Sequence, residues 1–79
     1  MDISSKLTQF IQEELLENQT KITQDTALFT SGLLDSVDLV ELTTFLENEF
    51  DIKINEQDII INNFNTINSI QNFISKKTG

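Results

Sequence analysis

The chain contains no cysteine, histidine, proline, tryptophan or tyrosine, and it has two glycines. Without cysteine there are no disulfides, no thiolate nucleophiles and no sulfur-ligated metal sites. Because histidine is absent as well, Ser-His-Asp and Cys-His triads and zinc sites are excluded. No glycine-rich loop that cradles a phosphate is present. The composition therefore argues against an enzyme, and we expect neither catalytic residues nor a resident metal.

At 79 residues, the chain is expected to form a single domain spanning residues 1–79. A domain of this size buries only about 60% of the surface that it exposes when unfolded, so its stability is expected to be modest. Residues 1–6 lack the apolar run of a signal peptide, and no segment is long and apolar enough to span a bilayer. We therefore expect a cytoplasmic protein without membrane insertion.

The formal net charge is −8, and every positive side chain is a lysine. A field of this sign repels nucleic acid and anionic membranes, and it attracts basic protein surfaces. The simplest interpretation is that the charge keeps a small monomer in solution. The charge becomes functionally informative if the acidic residues cluster around a particular site.

A helix start at Asp35 is the most informative local feature. Asp35 is a good N-cap, which places Ser36 at the first helical position and Asp38 at the third. Leu34 before the cap and Leu39 in the first turn have the spacing of a hydrophobic staple. If Asp35 is the cap, the Ser36 hydroxyl is left free. The alternative is that Ser36 itself caps the helix, which is common chemistry at a helix start.

Apolar residues at spacings of three and four predict an all-α chain. The pattern favours a four-helix bundle with three longer helices, a short third helix and a long loop between the first two. Because β-branched residues are indifferent helix formers, a strand is the alternative for the isoleucine run of the third element. The first two predicted helices span residues 4 to about 18 and 36 to about 50. The third follows an Asn55 cap with Asp58 three residues on, includes Ile59, Ile60 and Ile61, and ends at Asn62 and Asn63. The last helix begins at Asn65 or Thr66.

The connection from residue 19 to residue 34 is unusually long. Loops of more than roughly 12–15 residues in compact domains are usually functional or held by their own side chains. We expect Gly32 to form a tight bend just before the second helix. The apolar residues expected to anchor this loop in the core are Ile22, Leu28, Phe29, Leu33 and Leu34.

The second helix is apolar on more than one face. Its core stripe is predicted to comprise Leu39, Leu42, Leu46 and Phe50. Such a helix is either deeply buried or presents its second face to a partner. The pattern leaves both interpretations open, since the valines can also pack under the long loop. The second face comprises Val37, Val40, Glu41 and Thr44, flanked by Asp38, Glu47 and Asn48.

Residues 35–37, 40–42 and 47–52 together resemble an acyl carrier protein, and the resemblance extends over nearly the whole chain. In that family, the serine after the aspartate carries 4′-phosphopantetheine on a phosphodiester. The resemblance therefore implies that Ser36 is the attachment residue, that the cofactor comes from coenzyme A, and that a phosphopantetheinyl transferase is a partner. It also implies the four-helix bundle of this family.

The resemblance further implies docking onto loading, condensing and transferring enzymes that present basic patches. The Gly-Leu-Leu-Asp-Ser segment favours a carrier for polyketide, nonribosomal peptide or D-alanyl transfer over the fatty-acid type, and Thr44 and Asn48 depart from the usual residues of the latter. The implied docking residues are Asp35, Val37, Asp38, Val40, Glu41, Thr44 and Glu47. A cleft that shelters a cargo is expected to be lined by Leu46, Ile54, Ile59 and Ile61. The competing hypothesis is a small acidic helical interaction module that carries no cofactor.

Overall fold

Four α-helices form the framework of the protein in a computed structural model that describes residues 3–78. The expected all-helical fold with a short third helix is confirmed, and residues 3–78 contain no strand. Within the same range, no helix combines the length and apolar character needed to cross a membrane. The elements are α1 (Ile3–Phe10), a π-helical turn (Ile11–Leu15), α2 (Ser36–Phe50), a 3-10 turn (Glu56–Asp58), α3 (Ile61–Phe64) and α4 (Ile67–Thr78).

One apolar core joins all four helices and the long loop. In α2, Leu42 and Leu46 are fully buried, whereas Leu39 and Phe50 at the two ends of the predicted stripe are half-buried. Burial of each leucine side chain contributes about 1.5–3 kcal/mol. The buried apolar residues are Leu7, Ile11, Ile22, Leu28, Leu34, Leu42, Leu46, Phe64, Ile67, Ile70, Phe73 and Ile74.

The first helix ends earlier than predicted. Its α-helical part stops at Phe10, and the π-helical turn carries the chain to Leu15. Glu17 and Asn18 then adopt left-handed backbone angles, with φ of 52° and 61°. The Asn18 amide donates a hydrogen bond to the carbonyl of Gln12 at 2.7 Å. Because asparagine tolerates this conformation well, residues 17–18 end the helical segment that the periodicity extended to residue 18.

The predicted third helix, running continuously from the Asn55 cap through the isoleucine run, is wrong in its bounds. The structure has a 3-10 turn at Glu56–Asp58, then extended backbone at Ile60 with φ −129° and ψ 154°. Only Ile61–Phe64 is α-helical, so the two asparagines expected to end the helix lie inside α3. Successive β-branched side chains disfavour an uninterrupted helix, which explains the break.

Apolar anchors hold the long loop as expected, since Ile22, Leu28 and Leu34 are buried. Phe29 and Leu33 are half-buried. Gly32 has φ of 86°, a left-handed conformation that a residue with a Cβ adopts only at a cost. The predicted tight bend before α2 is therefore confirmed.

Two asparagines of the α3–α4 region tie the loop down through polar contacts. The Asn65 side-chain oxygen accepts hydrogen bonds from the backbone amides of Phe29 (2.9 Å) and Thr30 (3.1 Å). The Asn68 side chain donates to Asp25 Oδ1 at 2.7 Å. Because buried apolar side chains and these hydrogen bonds both hold the loop, the segment that leads to α2 has a defined path.

Candidate functional site

The start of α2 is fixed by two aspartates that cap each other. Asp35 has extended backbone angles, and its Oδ1 accepts a hydrogen bond from the Asp38 amide at 3.0 Å. In return, Asp38 Oδ2 accepts a hydrogen bond from the Asp35 amide at 3.1 Å. This reciprocal arrangement is a capping box. Asp35 is thus the N-cap, and the alternative cap at Ser36 is wrong.

Ser36 occupies the first position of α2, and its side chain is exposed. Among residues 3–78, no group forms a hydrogen bond with its hydroxyl, and the amides of Ser36 and Val37 find no acceptor. Unpaired amides at a helix N-terminus, together with the helix dipole, favour an anion. The residues present therefore fit a phosphodiester on Ser36, which the amides of Ser36 and Val37 would contact.

The backbone just before Ser36 is anchored to the core. The Leu34 amide donates to the Leu28 carbonyl at 2.9 Å, and the Leu28 amide donates to the Asn65 carbonyl at 2.6 Å. Leu34 itself is buried. This role of Asn65 was not predictable from the sequence, since an asparagine in an asparagine-rich run gives no local sign of a contact 37 residues away. These contacts hold Ser36 at a fixed place on the surface.

Val37 and Val40, which lie one turn apart on α2, are 67% and 64% exposed. Glu41 and Thr44 are exposed as well. The Thr44 hydroxyl donates to the Val40 carbonyl at 2.9 Å, so its polar group is satisfied within the helix. The second apolar face of α2 is therefore exposed, as one of the two sequence interpretations requires.

Three acidic residues that were predicted to dock partners also make local contacts. The carboxylates of Asp35 and Asp38 form the capping box, and Asp38 is half-buried. Glu47 Oε2 accepts a hydrogen bond from the Ile54 amide at 2.9 Å, which fixes the chain after α2. A docking role for these three residues stays a prediction. Within residues 3–78, no group of three or more acidic side chains is arranged to hold a metal ion.

A small apolar cavity of about 100 Å³ lies beside the first turn of α2. Of the residues expected to line a cargo cleft, Ile59 and Ile61 line this cavity, whereas Leu46 and Ile54 do not. The lining comprises Phe29, Leu39, Ile59, Ile60, Ile61 and Phe64.

Comparison with known proteins identifies the family. Residues 5–74 match the family described as "Phosphopantetheine attachment site". An acyl carrier protein of Borreliella burgdorferi is 37% identical over 78 residues, covering 99% of this chain and 95% of that protein. A D-alanyl carrier protein of Streptococcus sanguinis is 37% identical over 70 residues, covering 89% of this chain and 87% of that protein.

An acyl carrier protein of Thermotoga maritima is 32% identical over 78 residues, covering 99% of this chain and 94% of that protein. The resemblance based on the residues around Ser36 is thereby confirmed. Proteins of this kind are carriers rather than enzymes, and their cofactor is a covalently attached 4′-phosphopantetheine. With an exposed serine at a capped helix start and matches along nearly its whole length, the chain belongs to the acyl carrier protein family.

Proposed function

We propose that this single domain carries acyl or aminoacyl groups as thioesters on a 4′-phosphopantetheine arm attached to the Ser36 oxygen. One observation carries the proposal: the Ser36 hydroxyl is exposed and has no hydrogen-bond partner among residues 3–78. It lies at the N-terminus of α2, where the first two backbone amides of the helix lack acceptors. The arm supplies a thiol, which a polypeptide without cysteine cannot provide.

Attachment requires the Ser36 oxygen to act as a nucleophile in the site of a phosphopantetheinyl transferase. A phosphorus–oxygen bond to Ser36 forms, the pyrophosphate bond of coenzyme A breaks, and the adenosine bisphosphate half leaves. The chain contributes an accessible hydroxyl and two amides that favour the resulting anion. The serine proton goes to a base of the transferase or to solvent.

Partner enzymes dock on the exposed face formed by Val37, Val40, Glu41 and Thr44. Its two valines supply apolar contact, and Glu41 supplies negative charge for a basic patch. Weak, salt-sensitive docking of this kind suits a carrier that must leave each enzyme after each step. The net charge of −8 opposes self-association, which supports a monomer.

For the cargo, we favour polyketide, nonribosomal peptide or D-alanyl transfer over housekeeping fatty acid synthesis. The Gly-Leu-Leu-Asp-Ser segment and the polar residues Thr44 and Asn48 support this choice. Mass spectrometry of the thioester trapped on the chain in its source cells identifies the cargo, and a long saturated acyl group would contradict the choice.

Incubation of the full chain with coenzyme A and a promiscuous transferase tests the attachment. We expect intact-mass spectrometry to show the addition of one phosphopantetheine, and Ser36→Ala to remain unmodified. Ser31→Ala is the matched control, because Ser31 is also exposed but its hydroxyl donates to the Ala27 carbonyl. This control must be modified normally. A wild-type chain that stays unmodified would favour the interaction module without a cofactor.

A further inference from the structure

A groove runs along the surface between the first helical segment and α2. It consists of two adjoining hollows of about 480 and 320 Å³. Four residues line both hollows: Phe10, Glu14, Phe45 and Glu49. The larger hollow also reaches Val40, Glu41, Thr44 and Asn48, and the smaller one also reaches Lys6, Gln9 and Glu13. We call this feature the α1–α2 groove.

The floor of the α1–α2 groove is aromatic. The rings of Phe10 and Phe45 stack with centroids 4.0 Å apart and planes 8° apart, and both side chains are half-buried. Phe50 meets Phe45 edge to face, with centroids 6.2 Å apart. Paired aromatic rings that remain partly exposed provide an apolar contact surface for another side chain.

The rim of the groove is acidic. Glu13, Glu14, Glu41 and Glu49 are exposed, and Lys6 is the one basic residue in the described lining. Lys6 is already paired, since its ammonium lies 2.8 Å from Glu49 Oε2. Three of the four carboxylates therefore have no cation next to them in the groove lining. A complementary partner must place positive charge on either side of an apolar group.

We propose that the α1–α2 groove is a docking site for a helix of a partner enzyme that places a leucine or phenylalanine between lysines or arginines. The apolar side chain would cover the Phe10–Phe45 stack, and the flanking cations would face the glutamates. A second copy of this chain is a poor occupant because both copies carry a charge of −8. The proposal rests on the carrier function and extends the docking surface from α2 onto the first helical segment.

The position of the groove suits delivery to Ser36. Val40 belongs both to the exposed face of α2 and to the groove lining, and it follows Ser36 by four residues. Four residues of α-helix rise about 6 Å. The near edge of a helix seated in the groove would therefore lie about one helical turn along α2 from the attachment residue.

Binding of a synthetic helical peptide with a leucine stripe flanked by lysines tests the proposal on the full, unmodified chain. We expect the amide NMR signals of Phe10, Glu14 and Phe45 to shift as the peptide is added. Glu14→Lys should weaken binding by about 3- to 10-fold, because one attraction becomes a repulsion. Glu56→Lys is the matched control, since it makes the same charge change at an exposed residue outside the groove lining.

If the two substitutions weaken peptide binding equally, the peptide is attracted by the net charge of the chain rather than by the groove, and the proposal is overturned. Shifts centred on Ile59–Ile61, or a peptide-independent dimer, would overturn it as well. A peptide with serines in place of the leucines must bind more weakly if the aromatic floor takes part. Because the unmodified chain is used, failure of groove binding and failure of Ser36 modification are separate results.

Discussion

Replacing Asn65 with alanine tests whether one side chain holds the long loop against the junction of α3 and α4. Its Oδ1 accepts hydrogen bonds from the amides of Phe29 and Thr30, at 2.9 and 3.1 Å. Its Nδ2 donates to the exposed Thr30 hydroxyl at 3.2 Å. Alanine removes all three bonds, whereas the bond from the Leu28 amide to the Asn65 carbonyl survives because it involves only backbone.

The two amide bonds should account for most of the loss. A protein hydrogen bond contributes a net of about 0.5–1.5 kcal/mol, so Asn65→Ala should lower the free energy of unfolding by about 1–3 kcal/mol. For a domain of this size, each kcal/mol corresponds to about 4–8 °C in Tm. Total stability is expected at about 4–12 kcal/mol, so the variant should still fold.

Far-ultraviolet circular dichroism during heating and in urea measures this loss, since the chain has no tryptophan or tyrosine for intrinsic fluorescence. Asn65→Asp is the matched control, because it keeps an oxygen acceptor for the two amides and loses only the donor to Thr30. It should cost less than about 1 kcal/mol. Hydrogen exchange at the Phe29 and Thr30 amides should accelerate in Asn65→Ala alone. The reasoning is refuted if aspartate is as destabilising as alanine, or if alanine changes stability by less than about 0.5 kcal/mol.

Two further substitutions test the cap of α2 and an ion pair. Asp35→Ala should lower the free energy of unfolding in urea by about 1 kcal/mol, and Asp35→Asn by clearly less, because asparagine also accepts at a helix start; equal losses would contradict the capping role. The pKa of Asp58 lies below its ordinary value of 3.8 because Lys77 Nζ, 2.7 Å away, and the Asn55 amide donate hydrogen bonds to its carboxylate. Its stabilising effect is therefore complete above pH 3.8 and lost as the pH falls through the lower folded-state pKa. Lys77→Met should therefore lower the Tm near neutral pH but have little effect on it in acid, as measured by thermal unfolding at several pH values. A difference in Tm between the wild type and the variant that does not change with pH would contradict the ion pair.

The start and end of α2 were predictable because their signals are local. The Asp35 cap, its partner Asp38 and the apolar spacing lie within one short segment, and the structure places α2 at Ser36–Phe50 as expected. The exposure of Val37 and Val40 did not follow from the periodicity, which also allowed them to pack under the long loop; only the family resemblance favoured an exposed face. Residues close in sequence therefore sufficed to predict the capped start of α2.

Features that depend on distant residues were not predictable in the same way. The contacts of Asn65 and Asn68 with the loop join residues that are far apart in sequence, and asparagine is compatible with turns, caps and helices alike. The break in the third element reflects successive β-branched residues, which are indifferent helix formers, and the spacing of apolar residues alone does not reveal it. The α1–α2 groove was not predictable either, because Phe10 and Phe45 come into contact only when the two helices pack together.

The reciprocal bonds between Asp35 and Asp38 have a consequence for how the protein is handled in the laboratory. Because the helix start depends on those carboxylates, we expect substitution or derivatisation of Ser36 to leave these two hydrogen bonds in place. Bare, loaded and serine-free versions of the chain should therefore share the same start of α2. A difference in behaviour among them reports the attached chemistry rather than an altered scaffold.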